Sequence, residues 1–265
     1  MRAVSMIWDC HAHLSGVDGR TPEDKMANLV RFMDRMGIDR VCLYMGYPFL
    51  QDPTVEQLRQ QNDQVLAALT HHHDRAFGFV YCSGSHPDAS VRELERCVKN
   101  GPMVGVKLWV AKKCTARELD PILTRATELQ APILQHTWFK ASGNYPGESN
   151  PLDLVDLVKR HPKAPLICGH MGGDWPLGIR AIRGTPSLVT ETSGFDPTSG
   201  CVEMAVRELG ADRVLFGTDA GGRSFASQLA KVQGADIPDE AKKKILGENL
   251  RRMLLPILRQ KGMKP

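Results

Sequence analysis

The sequence lacks the patterns that mark several large classes of protein. None of its 265 residues lie in an apolar stretch near the roughly 20 residues that a membrane-spanning helix needs. The 34 basic and 30 acidic residues are interspersed, the formal net charge is only +4, and no long basic block offers a surface for nucleic acid. We therefore expect a protein that binds neither a membrane nor a nucleic acid.

The cysteines show no pairing pattern. They lie at positions 10, 42, 82, 97, 114, 168 and 201, an odd number with no CxxC spacing. This distribution favours a reducing compartment. The sequence begins with neither a charged segment followed by an apolar core nor a small-residue cleavage site, so we expect a cytoplasmic protein.

Two familiar signatures are also missing. No GxSxG elbow occurs and no cysteine has a histidine in local register, which leaves a covalent hydrolase without support. The first predicted strand is not followed by a GxGxxG turn, which argues against a doubly wound dinucleotide-binding sheet.

What the sequence does contain is a regular series of short, apolar, β-rich segments. They are predicted as strands at residues 3–9, 39–45, 76–82, 104–110, 132–136, 165–170, 187–192 and 213–219. Helical segments lie between them, clearest in TPEDKMANLVRFMDRMG, where Thr21 can cap the start and Gly37 the end. The strands recur about every 30 residues, the length of a strand with its crossover helix. Eight such units predict an α/β fold of the (β/α)8 TIM-barrel type, a single domain over residues 1–265 with C-terminal closing helices.

Acidic and imidazole side chains gather where these strands end. Asp9, His11 and His13 alternate along the first strand and therefore share one of its faces. The other members of the group follow later strands: His136 the fifth, His170 the sixth and Asp219 the eighth. Active sites of such barrels lie at the carboxyl ends of the strands, so these groups should meet there.

Gathering these groups in a barrel costs several kcal/mol unless a cation or hydrogen bonds compensate. We therefore predict a metal site, with a satisfied polar network as the alternative. Mixed nitrogen and oxygen donors suit Zn²⁺ first, with Mn²⁺, Fe²⁺, Co²⁺ or Ni²⁺ as alternatives.

At these residues the sequence resembles the amidohydrolase superfamily of metal-dependent (β/α)8 barrels, in the branch that includes aminocarboxymuconate-semialdehyde decarboxylase. The matching segments occur in order as DCHAH, LQHTW, LICGHMGG, TETSG, RVLFGTDA and ILGENLRRML. The resemblance implies one divalent metal ion with a set of four ligands, which are His11, His13, His136 and Asp219. It also implies that Asp219 accepts a proton from metal-activated water and that His170 acts beside the ion as an acid or base.

Two charged residues leave alternatives open. Lys107, at the end of the fourth strand, stands where binuclear relatives carry a carboxylated lysine between two metals. We favour an unmodified lysine that pairs with Asp219 or with a substrate carboxylate, and a purely structural ion pair is the other alternative. Asp9 could fix the tautomer of a ligand histidine, or only hydrogen-bond nearby backbone.

Other residues are candidates for the substrate pocket. Trp109 and Trp138 could wall it or simply pack, and Arg223 could grip a substrate carboxylate or lie on a surface loop. The resemblance makes the hydroxyl residues of the seventh strand pocket hydroxyls rather than nucleophiles: Thr190, Thr192 and Ser193.

These features predict a metal-dependent hydrolase that acts on a C–O or C–N bond of a small, carboxylate-bearing molecule. One alternative is a non-oxidative decarboxylase of an aromatic or muconate-type acid. Another is a barrel that binds a metal or ligand without turnover. A homodimer is expected only by analogy with other such barrels.

Overall fold

The computed structural model describes residues 6–195 and 197–265, and its strands form one parallel sheet in chain order. The strands are β1 (Trp8–Ala12), β2 (Arg40–Tyr44), β3 (Ala76–Cys82), β4 (Gly105–Leu108), β5 (Ile133–Gln135), β6 (Leu166–Cys168), β7 (Val189–Glu191) and β8 (Val214–Leu215). Backbone hydrogen bonds from Cys10 to Phe216 (2.9 Å) and from Asp219 to His11 (2.7 Å) join the last segment to β1. They close the sheet into the predicted (β/α)8 barrel.

Helices connect the strands and cover the outside of the barrel. They are α1 (Pro22–Met36), α2 (Val55–Leu69), α3 (Pro87–Glu93), α4 (Asp120–Glu128), α5 (Pro151–Arg160), α6 (Trp175–Ile182), α7 (Cys201–Leu209), α8 (Phe225–Gln233), α9 (Asp239–Lys243) and α10 (Asn249–Gln260). Helix α10 contacts both β1 and β8, as expected for a closing helix. No helix within the described ranges combines the length and apolarity that crossing a bilayer demands.

Local sequence explains where α1 begins and ends. Thr21 and Asp24 form a reciprocal capping box, and Gly37 ends the helix with a left-handed φ of 67°. Met26, Leu29 and Met33 lie on one face at helical spacing and are buried in the hydrophobic core. Both predicted caps of this helix are thus confirmed.

Several strands are shorter than the sequence suggests at the end that matters for function. β5, β6 and β8 end before His136, His170 and Asp219, which lie in the turns that follow. His170 and Asp219 have φ values of 61° and 59°, a left-handed conformation that costs a non-glycine residue of order 1 kcal/mol or more. The first strand also differs, because it runs from Trp8 to Ala12, while residues 3–5 of the predicted strand lie outside the described residues.

Candidate metal centre

The predicted site residues line one cavity at the carboxyl ends of the strands. Its volume is about 190 Å³. The lining contains each residue predicted as a metal ligand, an acid or base, or a substrate contact. It also contains three residues that the sequence did not indicate: Met45, Phe49 and Gly194.

Three donor atoms converge at the floor of this cavity. Nε2 of His11 lies 3.1 Å from Nε2 of His13. Oδ1 of Asp219 lies 3.3 Å from the His13 Nε2 atom and 3.9 Å from the His11 Nε2 atom. Two imidazole nitrogens and one carboxylate oxygen are donors that divalent transition metals accept together.

The far nitrogens of both rings are held by hydrogen-bond acceptors. Nδ1 of His13 lies 2.8 Å from the carbonyl oxygen of Tyr44, and Nδ1 of His11 lies 3.2 Å from Oε1 of Glu191. Because these oxygens can only accept, each Nδ1 carries a hydrogen, and each neutral ring then turns an Nε2 lone pair toward the other. The two lone pairs repel each other. A proton on one ring would relieve this repulsion, but only a metal ion can bind both nitrogens and the carboxylate at once. The donor set therefore fits a divalent metal ion.

Glu191 is a site residue that sequence reasoning missed. Its buried carboxylate accepts hydrogen bonds from the backbone N–H groups of His170 and Ser193, each at 2.6 Å, besides the contact with His11. A carboxylate with these partners is already satisfied, so we assign the nearby cluster of His11, His170 and Glu191 to hydrogen bonding rather than to a second metal. The available signal was an acid among the apolar and hydroxyl residues of LVTET.

Of the two roles left open for Asp9, fixing the tautomer of a ligand histidine belongs to Glu191. Asp9 accepts hydrogen bonds from the backbone of His11 (2.9 Å) and from the backbone and hydroxyl of Thr218 (3.0 and 2.5 Å). It therefore ties β1 to the segment after β8, which is the structural alternative. Burial raises the pKa of Asp9 to about 8, against the opposing effect of these hydrogen bonds.

His136 and His170 contact each other in the lining of the cavity. Nδ1 of His136 lies 3.0 Å from Nε2 of His170, and Nε2 of His136 lies 2.9 Å from Oε1 of Glu148. Among the described residues, the donor atoms of His11, His13 and Asp219 form a close triad. His136, which the sequence predicts as a fourth ligand, is not part of this triad. The His170 ring stacks on the His11 ring with centroids 4.9 Å apart, which joins the two pairs of imidazoles.

Lys107 lies against the same donors. Its Nζ atom is 3.1 Å from Nε2 of His11, rather than in contact range of Asp219 as the sequence suggested. The side chain is buried, and burial lowers its pKa to about 8, opposed by the charges of Asp219 and Glu191. A cationic group thus lies beside the His11 lone pair.

The protonation states of the cluster suit metal binding. Burial is the main cause that lowers the pKa values of His11 and His170 well below the usual value, so both rings are neutral near pH 7. For Asp219, burial raises the pKa, but the hydrogen bond with His13 and the electrostatic attraction of the neighbouring imidazole groups outweigh it. Its pKa lies well below the ordinary value, and the carboxylate is ionised. Neutral imidazoles and an ionised carboxylate are the forms that bind metals.

Aromatic rings form the walls of the cavity. Phe49 packs edge-on against the His13 ring with centroids 4.8 Å apart and against Trp109 at 5.8 Å. Trp138 lies 5.3 Å from the ring of His170. No sequence signal marked Phe49, because it lies in the irregular loop between β2 and α2, whose conformation depends on tertiary contacts.

The threonines of the seventh strand serve the barrel rather than the pocket. Thr190 donates to the carbonyl of Cys168 (2.9 Å) and Thr192 to the carbonyl of Gly217 (3.2 Å). Only the hydroxyl of Ser193 reaches the histidines, at 3.0 Å from Nδ1 of His170 and 3.1 Å from Nδ1 of His11.

Comparisons with known proteins identify several similar chains. A gamma-resorcylate decarboxylase of a Polaromonas species is 24% identical over 82% of this chain and 83% of its own length. The crystal structure of 2,6-dihydroxybenzoate decarboxylase from Rhizobium is 18% identical and superposes with a TM-score of 0.77 over 95% of this chain and 99% of that one. A dihydroxybenzoic acid decarboxylase of Polaromonas, solved with bound manganese and the inhibitor 2-nitroresorcinol, is 20% identical, with a TM-score of 0.76 over 96% and 98% of the two chains.

The family model described as amidohydrolase matches residues 8–255, from the start of β1 into α10. That range contains the whole barrel and every residue of the cavity described above. The chain belongs to the amidohydrolase family.

Proposed function

We propose that this protein is a divalent-metal-dependent, non-oxidative decarboxylase of a small hydroxylated aromatic acid. The observation that carries the proposal is the convergence of His11 Nε2, His13 Nε2 and Asp219 Oδ1 in a cavity with aromatic walls. A volume of about 190 Å³ is small for a ligand site and suits a single ring with its substituents.

The comparisons favour decarboxylation over the hydrolysis that the sequence put first. The similar proteins are named as decarboxylases of resorcylate or dihydroxybenzoate. Hydrolysis is supported only by this chain's own residues, which could hold a metal ion that activates water. Manganese in a similar structure likewise favours Mn²⁺ over Zn²⁺ as the ion. A barrel that only binds its ligand is the third alternative.

Decarboxylation sets definite demands on the side chains. The bond between the ring and the carboxylate carbon breaks, its electron pair stays on the ring, and a proton must reach that ring carbon as CO₂ leaves. A hydroxyl group on the ring helps, because it donates electron density to the carbon that accepts the proton. The bound metal ion would supply a Lewis acid for the substrate oxygens.

Asp219 is placed to move the proton. A quarter of its side chain is exposed (25%), at the cavity that the substrate enters. An arriving anionic substrate raises the proton affinity of nearby acids, so Asp219 takes up a proton from solvent as the substrate binds and gives it to the ring carbon. His170 hydrogen-bonds a substrate oxygen through Nε2.

Cationic and aromatic residues orient the substrate. Lys107 and Arg223 line the cavity and attract the substrate carboxylate. Trp109, Trp138 and Phe49 hold the ring between them and exclude water.

The test is an assay of the Mn²⁺-loaded protein on hydroxybenzoates, 2,6-dihydroxybenzoate among them, and on lactones and amides that carry a carboxylate. We expect CO₂ and the corresponding phenol in equal amounts from the first panel. Hydrolysis products from the lactones or amides, without CO₂ from the hydroxybenzoates, would support the hydrolase function instead. If the metal-loaded protein converts no compound of either panel, the result would indicate a barrel that binds its ligand without turnover.

A further inference from the structure

A buried carboxylate holds His136, the fourth ligand that the sequence predicts, which lies beside the donor triad. Glu148 belongs to the loop between β5 and α5, and only 1% of it is exposed. Its Oε1 atom lies 2.9 Å from Nε2 of His136. Its Oε2 atom accepts from Nζ of Lys140 at 2.7 Å and from the backbone N–H of Tyr145 at 3.1 Å. Every oxygen of this carboxylate is thus used, and one of them is aimed at a site imidazole.

These contacts determine which nitrogen of His136 faces the cavity. A carboxylate accepts hydrogen bonds, so the hydrogen of the neutral ring lies on Nε2 and the lone pair on Nδ1. Nδ1 is the atom that points toward the cavity side, 3.0 Å from Nε2 of His170. The other tautomer would place a lone pair against the carboxylate and a hydrogen toward the metal site, and a ring turned over would place C–H groups at both positions.

We propose that Glu148 is a positioning residue, which fixes the orientation and tautomer of His136 so that Nδ1 is the nitrogen offered to the metal ion. This inference rests on the metal centre of the proposed function but not on the identity of the reaction. Carboxylates that hold the far nitrogen of a metal-binding histidine commonly strengthen metal binding in this way.

The competing explanation is that Glu148 only stabilises the loop between β5 and α5, to which it belongs. Lys140 and Tyr145, its other partners, lie on that same loop, and Lys140 also stacks over the Tyr145 ring at 3.8 Å. A loop role and a positioning role therefore predict different results when the Lys140 contact alone is removed.

The experiment measures Mn²⁺ affinity directly, by titrating metal-stripped protein and following free Mn²⁺ by electron paramagnetic resonance. We expect Glu148→Gln to weaken binding by about 10- to 100-fold. Lys140→Met should change it by less than about 3-fold, since it leaves the bond to His136 intact. Glu93→Gln, the same chemical change in a buried carboxylate away from the site, should leave the affinity unchanged.

A double-mutant cycle and a spectroscopic readout separate positioning from loss of structure. In a His136→Ala background, Glu148→Gln should cause no further loss of affinity, because the ring on which it acts is gone. Nitrogen-15 NMR of His136 should show hydrogen on Nε2 in the wild type and a mixture of tautomers in Glu148→Gln. Glu148→Asp, which keeps the carboxylate at shorter reach, should lose less affinity than Glu148→Gln.

Three results would overturn the inference: wild-type affinity in Glu148→Gln, an equal loss in Lys140→Met, or additive losses in the cycle. If Glu148→Gln does not fold, Glu148→Asp decides between the same outcomes through its affinity and its NMR spectrum. Failure of the metal centre is a different result, because the wild-type protein would then bind no Mn²⁺. Failure of the decarboxylase proposal alone would leave these affinities unaffected.

Discussion

At the scale of single residues, the site depends on what lies behind each imidazole. The carbonyl of Tyr44 and the carboxylate of Glu191 hold the far nitrogens of His13 and His11. Both rings therefore present Nε2 atoms to the same point, where Asp219 adds an oxygen. Preorganisation of this kind lets a metal ion bind without the cost of reorienting its ligands.

Asp219→Asn tests the proton transfer. The amide cannot carry a transferable proton, so we expect kcat of the Mn²⁺-loaded enzyme to fall by at least about 100-fold. Initial rates of CO₂ release measure the effect. Asp212→Asn, in an exposed aspartate that pairs with Lys244, is the matched control and should keep wild-type activity. Full activity in Asp219→Asn would remove the residue from the chemistry.

Phe49→Ala tests the aromatic wall. Loss of one aromatic contact of about 0.5–1.5 kcal/mol should raise KM for a monocyclic acid by about 2- to 13-fold, with a smaller change in kcat. Phe49 is 39% exposed, so the melting temperature should barely move. Phe32→Ala, in an exposed phenylalanine on α1, is the control. An unchanged KM would show that Phe49 does not contact the substrate.

At the scale of elements, a buried polar network joins α2, β3 and α3. Asn62 bonds both the backbone N–H and the carbonyl of Tyr81, and it also donates to Glu93 at 3.0 Å. Arg96 completes the network with bonds of 2.9 and 2.6 Å to the Glu93 carboxylate. This network fixes the helices behind β3 without touching the cavity.

Glu93→Gln should lower the free energy of unfolding by about 1–3 kcal/mol near pH 7, because buried charge-assisted hydrogen bonds are lost. Burial raises the pKa of Glu93, but the bonds from Arg96 and Asn62 outweigh it, so the folded-state pKa lies below 4.5. The stabilisation is therefore present above about pH 4.5 and disappears as the pH falls through the lower folded-state value. Urea denaturation of both proteins across this range measures it. If the difference in the free energy of unfolding between the two proteins stays constant with pH, the ionised Glu93 carboxylate is not the source of the stabilisation.

The elements also show how far the sequence could predict the site. The strand spacing was enough to place His136, His170 and Asp219 at one rim, since all follow the carboxyl ends of strands in the same parallel sheet. The turns after those strands were not predictable, because the left-handed conformations of His170 and Asp219 are imposed by their neighbours. Glu148 and Phe49 lie in loops, whose paths depend on contacts distant in sequence.

At the scale of the whole molecule, regular alternation predicted the barrel because the strand-helix units are each about 30 residues long and have similar apolar patterns. Closure depends instead on bonds between the first and last segments, such as Asp219 to His11. The same bond brings an acid from the end of the barrel to the histidines at its start. Fold and site are thus assembled together.

Mn²⁺ should accordingly stabilise the whole fold. At an ion concentration about 100 times the dissociation constant, the gain is about 2.7 kcal/mol. That corresponds to a rise of about 5–10 °C in Tm for a chain of this size. Differential scanning calorimetry measures it, with His13→Ala as the variant that should show no shift. An equal rise in His13→Ala would place the ion elsewhere.

The measurement that bears most directly on the metal centre is the metal content of protein stripped with a chelator and then reloaded with Mn²⁺, followed by CO₂ release from 2,6-dihydroxybenzoate. We predict one manganese ion per chain and CO₂ release only after reloading. A protein that never retains the ion, or that releases CO₂ equally fast when stripped, would contradict the metal-dependent decarboxylase.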